Sequence, residues 1–164
     1  MKKHILLVII LLVSMTTNAQ KRMSKNKKAL VNSIEKHKKN LIEISDNIWE
    51  AAEPALLEFK SSNYLSDYAE ENGFIVKKGV AGIQTAFVAE YGSGKPIIGI
   101  MGEFDANLGI SQKKQPIKDP LEKGAPGHGC GHNLFGTASL GAAIAIKEMI
   151  ESGEISGTVR FYGT

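Results

Sequence analysis

Asn133-Leu134-Phe135-Gly136-Thr137-Ala138-Ser139-Leu140-Gly141-Ala142-Ala143-Ile144-Ala145-Ile146-Lys147-Glu148-Met149-Ile150-Glu151, followed by Ser152-Gly153 and Gly157-Thr158-Val159-Arg160-Phe161-Tyr162, is the stretch that decides the fold. Asn133 is a residue type that caps helices, and Ser152-Gly153 is a natural helix stop, so a helix is predicted from Leu134 to Glu151. Gly136, Ala138, Gly141, Ala142, Ala143 and Ala145 leave little side chain on several of its faces, as suits close packing on a sheet. The β-branched and aromatic run after Gly157 reads as a strand. An earlier apolar run, Pro96-Ile97-Ile98-Gly99-Ile100-Met101, reads as a strand buried on both faces. Together they predict a strand, a loop, a helix and a second strand parallel to the first.

Upstream, Leu30, Ile34, Leu41, Ile44 and Ile48 recur at helical spacing, which predicts an amphipathic helix over residues 27–52 that breaks at Glu53, before Pro54. Ser61 or Ser62 is placed to cap a second helix ending near Asn72 and Gly73. At these spacings Trp49 and Tyr68 are expected in the core. Phe74-Ile75-Val76 and Thr85-Ala86-Phe87-Val88-Ala89 read as antiparallel strands, and Gly92-Ser93-Gly94-Lys95 reads as a hairpin loop leading to the next strand. From Ala106 to Gly131 the chain is a long polar loop, which its length marks as functional or mobile. The class is therefore α/β with a mixed sheet.

The first residues, Met1-Lys2-Lys3-His4, are basic, and the nine residues from Ile5 to Val13 are all apolar. That run is shorter than the roughly 18 residues of a membrane span, and Thr17-Asn18-Ala19 offers small residues for cleavage. Residues 1–19 are expected to be a secretory signal peptide, residues 20–28 a basic leader, and residues 29–164 part of one larger folded domain. A membrane anchor formed by residues 5–15 is the alternative. Cleavage would place the mature protein outside the cytoplasm, secreted or periplasmic, with no membrane association. Loss of Lys2 and Lys3 lowers the formal net charge from +3 to +1. So slight a balance, with no aromatic residues among the leader lysines, gives no reason to expect nucleic-acid binding.

The chemistry concentrates in Gly127-His128-Gly129-Cys130-Gly131-His132-Asn133, which holds the chain's single cysteine and two of its four histidines. A thiolate and an imidazole two residues apart, framed by glycines, can approach one cation. With one cysteine no intramolecular disulfide forms, which leaves a ligand or a free thiol. A nucleophilic Cys130 activated by His128 or His132 is a second reading of the same residues, and a plain buried cysteine is a third. Glu103 and Asp105 stand just past the strand ending at Met101, where open α/β sheets place their ligand sites.

Gly102-Glu103-Phe104-Asp105-Ala106 followed by Gly127-His128-Gly129-Cys130-Gly131-His132-Asn133-Leu134 resembles the amidohydrolase branch of the aminoacylase and carboxypeptidase G metallopeptidase family. The pattern looks closest to that family's p-aminobenzoyl-glutamate hydrolase B-subunit group, and Ile48-Trp49-Glu50 and the run from Gly79 to Phe87 add to it. The resemblance implies the amino-terminal portion of a zinc-peptidase-like, phosphorylase/hydrolase-like three-layer α/β/α catalytic domain. It implies hydrolysis of an amide bond to an amino acid by a metal-bound water, in a p-aminobenzoyl-glutamate-like substrate, an N-acyl amino acid or a dipeptide. It also implies a divalent metal, Zn or Mn, as two ions in the full-length enzyme, and assembly into a homo- or hetero-oligomer.

The family's roles fall on Cys130 and His132 as metal ligands and on Asp105 as the aspartate that orients a ligand. Glu103 occupies the place where other branches carry a metal-binding histidine, and His128 matches the first histidine of the motif. Where the family reads Asp-Ala-Leu-Pro-Gly, this chain has Asp105-Ala106-Asn107-Leu108-Gly109. The family's general base, further ligands, and lid or dimerisation domain match nothing in the sequence, so the chain by itself is expected to be inactive. A non-catalytic metal-binding or partner-docking remnant of the same fold is the rival reading.

Overall fold

A computed structural model describes residues 23–164, so the expected signal peptide, its alternative as an anchor, and the first residues of the leader lie outside the described residues. The elements are α1 (Lys25–Ala51), α2 (Phe59–Glu71), β1 (Ile75–Lys78), a short 3-10 turn (Val80–Gly82), β2 (Phe87–Ser93), β3 (Ile97–Gly102), α3 (His132–Glu151) and β4 (Gly157–Gly163). Lys25, Lys27 and Lys28, expected in a leader, form the first turn of α1, whose N-cap Ser24 accepts a hydrogen bond from the Lys27 amide. No helix of the described residues is long and apolar enough to cross a membrane.

The sheet runs β1-β2-β4-β3. β1 and β2 are antiparallel, as expected. β3 and β4 are parallel, with Ile97 opposite Thr158 and Gly102 opposite Gly163, and α3 makes the crossover between them. Phe87, Ala89, Val159 and Phe161 project to one face. There they share a single core with Leu41, Ile44 and Ile48 of α1, Leu65 and Tyr68 of α2, and Leu140 and Ile144 of α3. Two layers of the expected three are thus present among the described residues.

Several local expectations are corrected. The Gly92–Lys95 segment does not join neighbouring strands, because β4 inserts between β2 and β3 and pairs with both. A hairpin reading sees only adjacent sequence, whereas the strand that fills this slot arrives about sixty residues later. β3 is not buried on both faces: it is an edge strand of the described sheet, and Ile97, Ile98 and Met101 are exposed. Ser61 and Ser62 do not cap α2 but lie buried within its first turn. Glu53, from the preceding loop, caps that helix instead, accepting from the Lys60 amide at 3.0 Å and the Ser61 amide at 2.9 Å. Asn133 lies inside α3, where its side-chain amide donates to the Ser45 hydroxyl at 3.1 Å and ties α3 to α1. The N-cap of α3 is Gly131, whose φ of 81° is in the left-handed region that glycine tolerates.

Small residues on α3 do what their size predicts. A Cβ on Gly136 would meet the Glu103 carbonyl oxygen at 2.8 Å and the Phe104 Cβ at 3.2 Å. The helix therefore sits directly against the carboxyl end of β3. A Cβ on Gly141 would meet Leu41 at 2.9 Å, so the same helix also lies close against α1.

Candidate metal centre

The parallel β3–β4 pair ends at one edge of the sheet, and the chain leaving β3 passes Glu103, Phe104 and Asp105 there. Phe104 is fully buried and its amide donates to the Thr164 carbonyl at 3.1 Å, which anchors the segment between the two acids. Ala106 then donates to the Glu53 carbonyl at 2.8 Å. The 106–131 segment is irregular, as expected, but closed at its base. Asn107 and Gly127 exchange two hydrogen bonds of 2.9 Å, so the turn forms without the family's proline. Closing the loop returns the glycine-framed motif to the edge where β3 ended, and α3 starts at His132.

His132 meets both acids. Its Nδ1 lies 2.6 Å from Asp105 Oδ1 and its Nε2 lies 3.2 Å from Glu103 Oε2. The ligand atoms of Glu103, Asp105 and His132 all fall within 4.8 Å of one another. When Asp105 accepts the Nδ1 proton, a neutral imidazole keeps only a lone pair at Nε2, and the Glu103 carboxylate facing it also offers only lone pairs. Two acceptors at that distance need a proton or a cation between them. The His132 Nε2 lone pair and the Glu103 carboxylate that faces it are donors that suit a divalent ion. A carboxylate on the far ring nitrogen is the usual means of orienting a metal-binding histidine.

The other two motif residues stand apart from this group. Cys130 is exposed, with a free thiol. His128 is half-buried, and its Nε2 donates to the Ile48 carbonyl at 3.0 Å while Nδ1 is buried without a partner among the described residues. Burial pushes the His128 pKa down, against the Ile48 hydrogen bond and the Asp105 carboxylate, which favour the cation.

Two features were not legible as site features in the sequence. Trp49, expected in the core, is only half-buried and lines a cleft of about 570 Å³ between the end of α1 and the 106–131 loop, with Lys114 over its ring. Helical spacing gives the face of a residue, but not whether a distant loop will cover it. The second is a polar cluster under α3: His37 lies 2.6 Å from the Tyr68 hydroxyl and 3.2 Å from Glu148. His37 sits on the α1 stripe between apolar positions, and its place in the helical period was the available signal.

No model of a known protein family matches the chain. Over 134 residues it is 44% identical to the B-subunit of p-aminobenzoyl-glutamate hydrolase from Escherichia coli, a match that takes in 80% of this chain and 27% of that protein. The chain thus spans about a quarter of the length of this relative. A putative aminohydrolase from methicillin-resistant Staphylococcus aureus shares the fold, with a TM-score of 0.67 at 22% identity over 83% of this chain and 34% of the other. A dinuclear metal-binding peptidase of the M20 family from Bacillus subtilis has a TM-score of 0.62 at 26% identity, over 75% of this chain and 33% of the other. In sequence the chain is therefore similar to about a quarter of the E. coli hydrolase subunit, and in fold to about a third of the staphylococcal protein and of the M20-family peptidase.

Proposed function

We propose that this chain contributes the first part of the metal centre of an amidohydrolase that releases an amino acid from an amide. The candidate substrates are a p-aminobenzoyl-glutamate-like compound, an N-acyl amino acid or a dipeptide. The observation that carries the reading is His132, held at Nδ1 by Asp105 and faced at Nε2 by Glu103. A divalent cation there, Zn²⁺ or Mn²⁺, would polarise the scissile carbonyl and lower the pKa of a bound water.

The chain's own residues do the holding. Asp105 fixes the ring and tautomer of His132 so that Nε2 points at the ion. Glu103 supplies an anionic oxygen on the same side. Cys130, exposed two residues before His132, supplies a thiolate to the ion or to a second one next to it. Moving the proton from water to the leaving amine needs a further carboxylate, and no residue of this chain matches the family's general base. With Glu103, His132 and Cys130 as its donors, this segment by itself is expected to bind the metal weakly.

The E. coli relative is one subunit of a hydrolase, which supports assembly with a further subunit. The basic start, apolar run and Thr17-Asn18-Ala19 support export and cleavage before Gln20. Sequencing the amino terminus of exported protein tests that point: Gln20 is expected, and an intact Met1 would speak for an anchor.

A chimera tests the activity. Residues 25–164 replace the matching segment of the E. coli protein, and the hybrid is assayed on p-aminobenzoyl-glutamate and on N-acyl amino acids. Metal-dependent cleavage is expected, lost with His132→Ala. A chimera that folds and binds metal, yet cleaves none of these amides, would overturn the reading.

A further inference from the structure

The cleft beside Trp49 is bounded on one side by Gly127, His128 and Gly129 of the motif but is lined by none of Glu103, Asp105, Cys130 and His132, and its other walls have a chemistry of their own. It lies between the last turn of α1 and the loop that carries Lys113 and Lys114, and encloses about 570 Å³, enough for a small organic molecule. One wall is the half-buried Trp49 ring. The Lys114 ammonium stands 4.9 Å from the ring centroid and 3.5 Å from an Asp46 oxygen. Lys113 is paired with Asp119 at 2.8 Å. Both ion pairs are well exposed and therefore exchangeable, so either ammonium can turn to an incoming anion.

The loop that presents these lysines is knit by its own hydrogen bonds. The Gln112 side-chain amide donates to the Ile117 carbonyl at 2.7 Å, and the Lys113 amide donates to the Asp119 carbonyl at 3.0 Å. Ordering of that kind sets the two cations at the cleft before a ligand arrives. Glu50 and Glu122 also line the cleft, and they select against ligands whose negative charge does not reach the lysines.

We propose that this cleft binds a planar aromatic carboxylate, its ring against Trp49 and its carboxylate on the ammonium groups of Lys113 and Lys114. An aromatic face suits the indole, and a carboxylate accepts the charge-assisted hydrogen bonds that exposed lysines offer. The site goes beyond amide hydrolysis and does not depend on a metal.

Trp49 is the chain's sole tryptophan, so its fluorescence reports on this cleft alone. The full chain is titrated, without metal, with benzoate, with cyclohexanecarboxylate (the same charge without a π face) and with benzamide (the ring without the charge). Calorimetry on the same solutions detects binding that leaves the fluorescence unchanged. Saturable binding of benzoate is expected, roughly tenfold tighter than either analogue, and Lys114→Gln should bring benzoate down to the level of benzamide. Lys114 is exposed, and an unchanged unfolding midpoint will show that the variant folds. Three results would each overturn the proposal: no saturable binding of benzoate, equal binding of cyclohexanecarboxylate, or full affinity in Lys114→Gln. None of them bears on the amidase reading, which the chimera tests separately.

Discussion

Asp105 holds His132 by a 2.6 Å contact to Nδ1, and this bond leaves Nε2 as the one ring nitrogen free to bind a cation. An amide oxygen accepts that proton more weakly than a carboxylate, and an amide nitrogen turned towards the ring would favour the opposite tautomer. Asp105→Asn should therefore weaken divalent-metal binding by about 10- to 100-fold without removing a ligand from the Nε2 side. Competition with a coloured chelator measures the effect. Unchanged affinity would mean that Asp105 has no orienting role.

Gly136 sets how closely α3 approaches the end of β3. With the Glu103 carbonyl oxygen 2.8 Å from an added Cβ, Gly136→Ala must push helix and strand apart. The expected cost is about 1–3 kcal/mol, the usual range for overpacking, read from urea unfolding. Because the same contact positions Glu103 against His132, metal affinity should fall in parallel.

Glu148 gives the stability a distinct pH dependence. Burial opposes its charge, but hydrogen bonds from Lys36 and His37 outweigh it and hold the carboxyl at about 2, below its ordinary 4.5. A carboxylate whose pKa is depressed on folding contributes fully above its unfolded value, and that contribution is lost as pH falls towards the folded one. The unfolding free energy should therefore drop between about pH 5 and pH 2, and Glu148→Gln should remove most of that slope. Urea unfolding at several pH values in this window checks both. A variant with the slope of the parent would show that other carboxylates carry it.

The parallel crossover was readable because each of its parts is local: an apolar run, a small-residue helix, a Ser152-Gly153 stop and a β-branched run. So was the approach of Asp105 to His132, which follows once β3 and α3 share an edge. The position of β4 between β2 and β3 was not, since pairing partners distant in sequence leave no local trace. Glu53 capping a helix seven residues ahead, and Asn133 reaching Ser45 across the helix pair, failed for the same reason: residue type announces a cap, but tertiary geometry decides which groups meet. Trp49 looked like core because its helix is amphipathic, and only the folded loop shows that it faces a cleft.

His132, oriented by Asp105 and faced by Glu103, with Cys130 two residues before it, is the proposed start of a divalent-metal centre. Titration of the chain with Zn²⁺, compared with His132→Ala and Cys130→Ser at matched folding, tests it most directly. Weak binding by the parent chain is expected, reduced at least about tenfold by each substitution, with the cysteine contributing through its thiolate. Parent-level affinity in both variants, or no binding by the parent chain, would contradict it.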